Sequence, residues 1–139
     1  MKSRVMGIDY GDARTGIAVS DLLGITAQGV ESIAHNGNEK MLLARIEQII
    51  KEYEIKKIVI GYPLNMNATK GARAEKTDKF IEKLIHKFNL EVIKIDERLT
   101  TVSAHRTMQE LSVNKDKKKK IVDTISAQYI LQMYLDKSN

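Results

Sequence analysis

Arg4-Val5-Met6-Gly7-Ile8-Asp9-Tyr10-Gly11 decides how the rest of the chain is read. A short apolar run ends in a carboxylate, and a glycine follows one residue later. The run is too short for a helix and reads as a strand. Alternation puts Val5, Gly7 and Asp9 on one face and Arg4, Met6 and Ile8 on the other. Gly7 has no side chain, so another element can approach the sheet beside Asp9. Gly11 lets the chain turn sharply, and Thr15-Gly16-Ile17-Ala18-Val19-Ser20 reads as the return strand of a hairpin. Asp9 then stands at the carboxyl end of a central strand, where α/β sheets gather ligands. By itself such an Asp can equally cap a turn with its side chain.

Working outward, Gly24 to Ile33 reads as a third strand, its glycines marking a bulge or an edge. Asn36, with Glu39 three residues later, resembles a capping box. Leu42, Ile46, Ile49, Ile50 and Tyr53 recur at helical spacing, predicting a helix from about Asn38 to Tyr53. Lys57 to Gly61 is continuously apolar after its lysine, as in a parallel strand buried on both faces. A second helix is predicted from about Thr69 to Phe88, with Thr77, Ile81, Leu84, Ile85 and Phe88 inward. Val92-Ile93-Lys94-Ile95 is the next strand and runs into Asp96-Glu97-Arg98. Thr100 or Thr101 can cap a short helix carrying Ala104, Met108 and Leu111. The basic stretch Lys115 to Lys120 leads into a last helix with Val122, Ile125, Tyr129, Ile130 and Met133 apolar. The order is β-β-β-α-β-α-β-α-α. Right-handed crossovers then place the strands 3-2-1-4-5 in one mixed sheet flanked by helices.

The 139 residues read as one domain, 1–139. The absence of cysteine excludes disulfides, thiolate metal sites and cysteine catalysis. No run of about 18 apolar residues and no signal-peptide pattern is present, so a cytoplasmic protein without a membrane partner is expected. The net charge of +5 is compatible with a nucleic-acid partner.

In this architecture the first, fourth and fifth strands are parallel and their carboxyl ends share one sheet edge. Asp9 and Glu97 lie at such ends. Glu97 has the parity of Ile93 and Ile95, so it shares their face; Asp96 has the opposite parity. Asp123, near the start of the last helix, stacks with Ala127, Ile130 and Tyr134 on the flank of the buried stripe. Ser126 and Ala127 are small enough for close approach to the sheet. At a helix start, Asp123 can also simply complement the helix dipole. Three converging carboxylates repel one another unless a cation is present. An all-oxygen set suits Mg²⁺ or Mn²⁺. Such ions can sit in pairs about 3.5–4 Å apart and drive phosphodiester hydrolysis without a nucleophilic side chain.

Four motifs carry a resemblance: Gly7-Ile8-Asp9-Tyr10-Gly11-Asp12-Ala13-Arg14-Thr15-Gly16-Ile17-Ala18, Gly61-Tyr62-Pro63-Leu64-Asn65-Met66, Asp96-Glu97-Arg98-Leu99-Thr100-Thr101, and Val122-Asp123-Thr124-Ile125-Ser126-Ala127-Gln128-Tyr129-Ile130-Leu131-Gln132. In this order, over nearly the whole chain, they resemble the YqgF family, also called RuvX. The resemblance implies a ribonuclease H-like fold and a catalytic, metal-holding triad of Asp9, Glu97 and Asp123. It also implies a nuclease processing the 5′ end of pre-16S ribosomal RNA, or a Holliday-junction-resolvase-like DNA nuclease. Where the second motif commonly continues Asp-Gly-Thr, this chain has Asn67-Ala68-Thr69.

Around the triad, Arg14 either holds a substrate phosphate or pairs with Asp12. Asn65 can touch substrate from its loop or serve the turn. Arg98 can neutralise the triad or bind phosphate. Lys118, Lys119 and Lys120 can contact a nucleic-acid backbone and give affinity without sequence choice. His35 and His86 read as surface residues, with His105 alone near the site. The expected partners are pre-rRNA or structured DNA, with ribosomal particles, the chain being a monomer or weak homodimer. Two other classes compete. A phosphotransferase of the actin and sugar-kinase type shares the Gly-x-Asp-x-Gly opening but needs a second domain. A non-catalytic RNA- or ribosome-associated factor would keep the fold alone.

Overall fold

The computed structural model describes residues 4–100 and 115–138, with the side chains of 115–121 outside the description. Strands β1 (Arg4–Asp9), β2 (Arg14–Ser20) and β3 (Ala27–Ala34) form a meander. Helix α1 (Glu39–Tyr53), β4 (Ile55–Tyr62), α2 (Ala72–Phe88) and β5 (Glu91–Asp96) follow as two crossover units. A 3₁₀ turn over Glu97–Leu99 continues β5, and helix α3 (Lys115–Ser138) ends the chain. The sheet order is β3-β2-β1-β4-β5, with β1, β4 and β5 parallel. The predicted strand order and directions therefore hold. The short helix expected around Ala104, Met108 and Leu111, and His105 with it, lies outside the described residues.

Alternation sorts the sheet into two unlike faces. Met6, Ile8, Ile17, Val19, Ile58, Ile60 and Tyr62 point toward α1 and α2, where Leu42, Ile46, Ile49, Phe80 and Leu84 complete the larger core. Val5, Ala18, Val59 and Ile95 point the other way, against Ala127, Ile130, Leu131 and Leu135 of α3. The β4 run is continuously apolar because it feeds both cores. Gly29 sits where the β2–β3 register shifts, and β3 is a sheet edge, as its composition predicted.

Small residues mark the α3 face. A Cβ on Gly16 would stand 2.0 Å from the Asp123 carbonyl oxygen. One on Gly7 would stand 2.7 Å from Leu131 Cβ, and one on Gly61 2.6 Å from Ile130 Cδ1. The last helix thus lies directly on strand backbone, the close approach that Gly7 foretold.

Four local expectations change. Asn38, not Asn36, caps α1, its side chain accepting from the Met41 N–H; Asn36 is in the left-handed region at φ 51°. Helix α2 begins at Ala72 rather than near Thr69, since the preceding loop keeps its own hydrogen bonds, and it buries Phe80 while leaving Ile85 exposed. Helix α3 extends back through the lysines, so Lys115 to Lys120 are helical rather than a leading loop. Its buried row runs Ala127, Ile130, Leu131 and Leu135, while Tyr129 is exposed, because the side of the helix that meets Gly7, Gly16 and Gly61 is the one carrying Asp123, Ala127, Ile130 and Leu131. Among the described residues no helix is long and apolar enough to cross a membrane.

Gly16→Ala must push α3 off the sheet, because backbone on both sides leaves no flexible side chain to yield. A loss of about 3 kcal/mol is expected in urea unfolding. Gly37, at φ 84° with open space around it, is the control: Gly37→Ala should cost about 1 kcal/mol, from backbone conformation alone.

Candidate active site

The site forms where the carboxyl ends of β1 and β4 meet the flank of α3. Asp9 is the last residue of β1 and lies on the α3 face by parity with Val5 and Gly7. Although charged, it is only 3% exposed. Its position is fixed from the opposite face, where Tyr10 stacks on Phe80 with centroids 4.1 Å apart. The Tyr10 hydroxyl donates to Glu39 at 3.0 Å; burial, then this carboxylate, pushes its pKa up to about 12.

Asp9 pairs with Gly16 on β2. On its other side, one step beyond the Ile8–Ile60 pair, the next β4 residue is Gly61. Both glycines are occupied from above. Glu97 Oε1 lies 2.7 Å from where a Gly61 Cβ would be, and the Asp123 backbone lies on Gly16. Glu97, opening the 3₁₀ turn, is 4% exposed. Asp9 is thus flanked in the sheet by the two glycines that Glu97 and Asp123 cover.

Asp123 lies deeper in α3 than expected. It is the ninth helical residue, on the row of Ala127 and Leu131, so the reading as a dipole partner at a helix start does not apply. Its Oδ2 accepts from Arg14 Nε at 2.9 Å and from Ser32 Oγ at 2.9 Å. The register explains both: Arg14 lies two residues before Gly16 on the same face, and Ser32 pairs with Gly16 across β3. Ser32 carried no motif; its opposition to Gly16 is the signal that could have found it. Among the described residues, no three carboxylate or imidazole side chains are gathered closely enough to hold one ion between them. The donor chemistry still fits a hard cation: buried Asp9 lies in the sheet between Gly61 and Gly16, buried Glu97 covers the first, and Asp123, held by an arginine, covers the second.

Arg14 pairs with Asp123 and not with Asp12, whose carboxylate meets Lys76 instead. Arg98 is turned to its neighbour Asp96, at 2.6 Å, rather than toward the triad. That hydrogen bond, above all, holds the Asp96 carboxyl below the usual range. Thr100 closes the 3₁₀ turn onto the Glu97 carbonyl; Thr101 lies outside the described residues. Asn65 serves its own loop, donating to Thr69 Oγ1 at 3.0 Å and packing on Gly71. Lys118, Lys119 and Lys120 fall in the first turns of α3, with their side chains outside the description. Ser126 is fully buried one turn beyond Asp123, and its hydroxyl has no hydrogen-bond partner among the described residues.

Residues 3–137 match the RuvX family, described as a Holliday junction resolvase. The chain belongs to the RuvX family. A relative from Ruminiclostridium cellulolyticum is 56% identical over 134 residues, 96% of this chain and 94% of that one. One from Listeria monocytogenes serotype 4b is 45% identical over 98% of this chain and 99% of that one. Both carry the provisional name pre-16S rRNA nuclease. Among solved structures, Thermus thermophilus RuvC in complex with a Holliday junction substrate superposes with TM-score 0.60 at 12% identity, covering 99% of this chain and 98% of that one. The fowlpox virus Holliday junction resolvase gives 0.54 at 17% identity, with 97% and 98% covered. At such identities the likeness is one of fold. The RuvX chain has the RuvC-like, ribonuclease H-like architecture.

His35 corrects the surface reading. It is 4% exposed, because at the end of β3 it shares the parity of buried Ile33. Nδ1 accepts the Gly37 N–H at 3.1 Å, so the ring proton sits on Nε2, 3.1 Å from Thr15 Oγ1. His86 is exposed, as expected. Burial lowers the pKa of His35 below 6.5. Protonation therefore favours the unfolded chain: stability is full above pH 6.5 and falls as pH drops below it toward the folded value. His35→Gln should flatten that part of the profile relative to wild type in denaturation at stepped pH. Parallel profiles would show that His35 titrates alike in both states.

Proposed function

We propose that this chain is a metal-dependent nuclease that processes the 5′ end of pre-16S ribosomal RNA. The observation that carries the reading is the near-complete burial of two carboxylates, Asp9 and Glu97, with Glu97 and Asp123 lying over the two glycines that flank Asp9 in the sheet. Burying a carboxylate is costly, and a bound cation offsets that cost. The provisional name of relatives 45–56% identical supplies the substrate class.

In this reading Asp9, Glu97 and Asp123 hold Mg²⁺ or Mn²⁺. Bound there, such ions would supply charge neutralisation at the scissile phosphate and activation of the attacking water by a two-metal mechanism. The chain's own contribution is placement. Asp9 is fixed by sheet pairing and Glu97 by its 3₁₀ turn over Gly61. Arg14 offers a guanidinium to phosphate oxygens. Asn65 and Arg98 would have to release Thr69 and Asp96 to reach substrate. Lys119 and Lys120 precede Asp123 by one helical turn and would follow the nucleic-acid backbone past the site. The processing would take place in the cytoplasm, on precursor particles, with the chain as monomer or weak homodimer.

The test is cleavage of an RNA spanning the 5′ end of mature 16S ribosomal RNA in Mn²⁺. Asp9→Asn keeps size and removes a charge, and should slow cleavage at least about a hundredfold, roughly 2.7 kcal/mol of transition-state stabilisation. Equal rates for wild type and variant would remove the reading. Cleavage of four-way DNA junctions and not of the RNA would favour the resolvase alternative, which the family description supports. Neither activity, with nucleic-acid binding retained, would favour the non-catalytic factor.

Replacing Lys117 to Lys120 by Gln should weaken RNA binding and flatten its dependence on salt by about three to four released ions. An unchanged slope would remove those lysines from the interface.

A further inference from the structure

Asp123 is balanced by a cation of the chain itself. Arg14 Nε and Ser32 Oγ both donate to its Oδ2. The Arg14 and Asp123 side chains are 25% and 17% exposed, so the pair is only partly screened by water. Neither partner can drift away by backbone motion. Arg14 begins β2 and pairs with Ala34, while Asp123 is pinned where its carbonyl lies on Gly16. Only side-chain torsions can separate them. A guanidinium has five N–H donors, and the contact to Asp123 runs through Nε, so the same group can reach a phosphate without leaving the site.

We propose that Arg14 is a stand-in cation: without metal it balances Asp123 and keeps the third carboxylate from closing on Asp9 and Glu97, and it passes to a nucleic-acid phosphate when a divalent ion takes over Asp123. This rests on the metal-dependent reading of the site. Two consequences follow from charge alone. Without nucleic acid, the ion must compete with Arg14 for Asp123, so metal binding is weakened. With nucleic acid, the phosphate gives Arg14 a new partner, so metal and substrate strengthen each other's binding by the same factor. Arg14 is then a positioning residue whose effect on metal affinity is opposite in sign to its effect on nucleic-acid affinity. Loss of a merely structural arginine would weaken both.

The experiment is a Mn²⁺ titration followed by the EPR signal of the free ion, on the full chain without nucleic acid. It is paired with binding of a fluorescent 20-nucleotide RNA in Ca²⁺. Arg14→Gln should bind Mn²⁺ about tenfold more tightly than wild type and the RNA about tenfold more weakly. Arg14→Lys, which keeps the charge, should move both affinities back toward wild type. Ser32→Ala removes the other donor and should tighten Mn²⁺ binding in the same direction by a smaller factor. It keeps the test open if Arg14→Gln does not fold. Unchanged or weakened Mn²⁺ binding in Arg14→Gln, folded by circular dichroism, would overturn the proposal. If only Ser32→Ala folds, unchanged or weakened binding there would do the same. Asp9→Asn separates the two failures. If it abolishes Mn²⁺ binding while the Arg14 and Ser32 variants leave it unchanged, the stand-in role alone is wrong. If Asp9→Asn binds Mn²⁺ like wild type, the metal site itself is misassigned and both readings fall.

Discussion

The last helix rests on bare strand backbone, and the site depends on that contact. Helices usually stand off a sheet by the depth of two layers of side chains. Here Gly7, Gly16 and Gly61 remove one layer beneath α3, and Ala127 keeps the other thin. The opposite face keeps both layers, filled by Met6, Ile8, Ile58, Ile60 and Phe80. The asymmetry has a chemical use. Asp is a short residue whose carboxylate reaches little beyond its own Cβ. An Asp on a strand and an Asp on a helix can serve one site only if the two backbones nearly touch. Gly16 makes that approach possible, since Asp123 lies on the residue that pairs with Asp9.

Strand order and facing were legible because each follows from a rule with period two or a fixed hand. Alternation through Arg4-Val5-Met6-Gly7-Ile8-Asp9 assigns Asp9 to the α3 face, and the same parity carried from Ile93 and Ile95 assigns Glu97. The crossovers leave only one sensible sheet order. Helix α3 was harder. Its inward row, Ala127, Ile130, Leu131 and Leu135, shares only Ile130 with the apolar positions Val122, Ile125, Tyr129, Ile130 and Met133, so Tyr129 is left outside. Its start was misplaced too, because lysines are good helix formers that look like loop when clustered. Both differences shift Asp123 from the helix start and the flank of the stripe to the ninth helical residue, over Gly16.

Polar side chains near the site were legible only where topology fixes their partners. Asn65 and Arg98 spend their shorter side-chain hydrogen bonds within four residues, on Thr69 and Asp96, and Arg98 adds only a longer one to the Met66 carbonyl. Such local bonds compete with any outward role, and sequence alone cannot say which wins. Ser32 is the reverse case. It lies 91 residues from Asp123, and only the β2–β3 register brings them together. His35 looked like a turn residue because Asn36 and Gly37 follow it. In the fold it directly follows β3, and continuing the strand's parity buries it.

The rigidity of the hairpin decides what kind of change the site can undergo. The turn between β1 and β2 is clamped on several sides. His35 and Asn36 N–H groups both donate to the Ala13 carbonyl, Asp12 meets Lys76 of α2, and Tyr10 stacks on Phe80. Arg14 therefore leaves a fixed point on a long flexible stem, whereas Asp9 and Asp123 sit on short stems above immobile backbone. When charge arrives, the carboxylates have little room to reorganise and the guanidinium has much. On the metal-dependent reading, a site arranged this way would keep its acids prepared for a cation and place the necessary motion in one arginine side chain. Rotating that side chain disturbs neither the sheet nor the seat of α3 on Gly16.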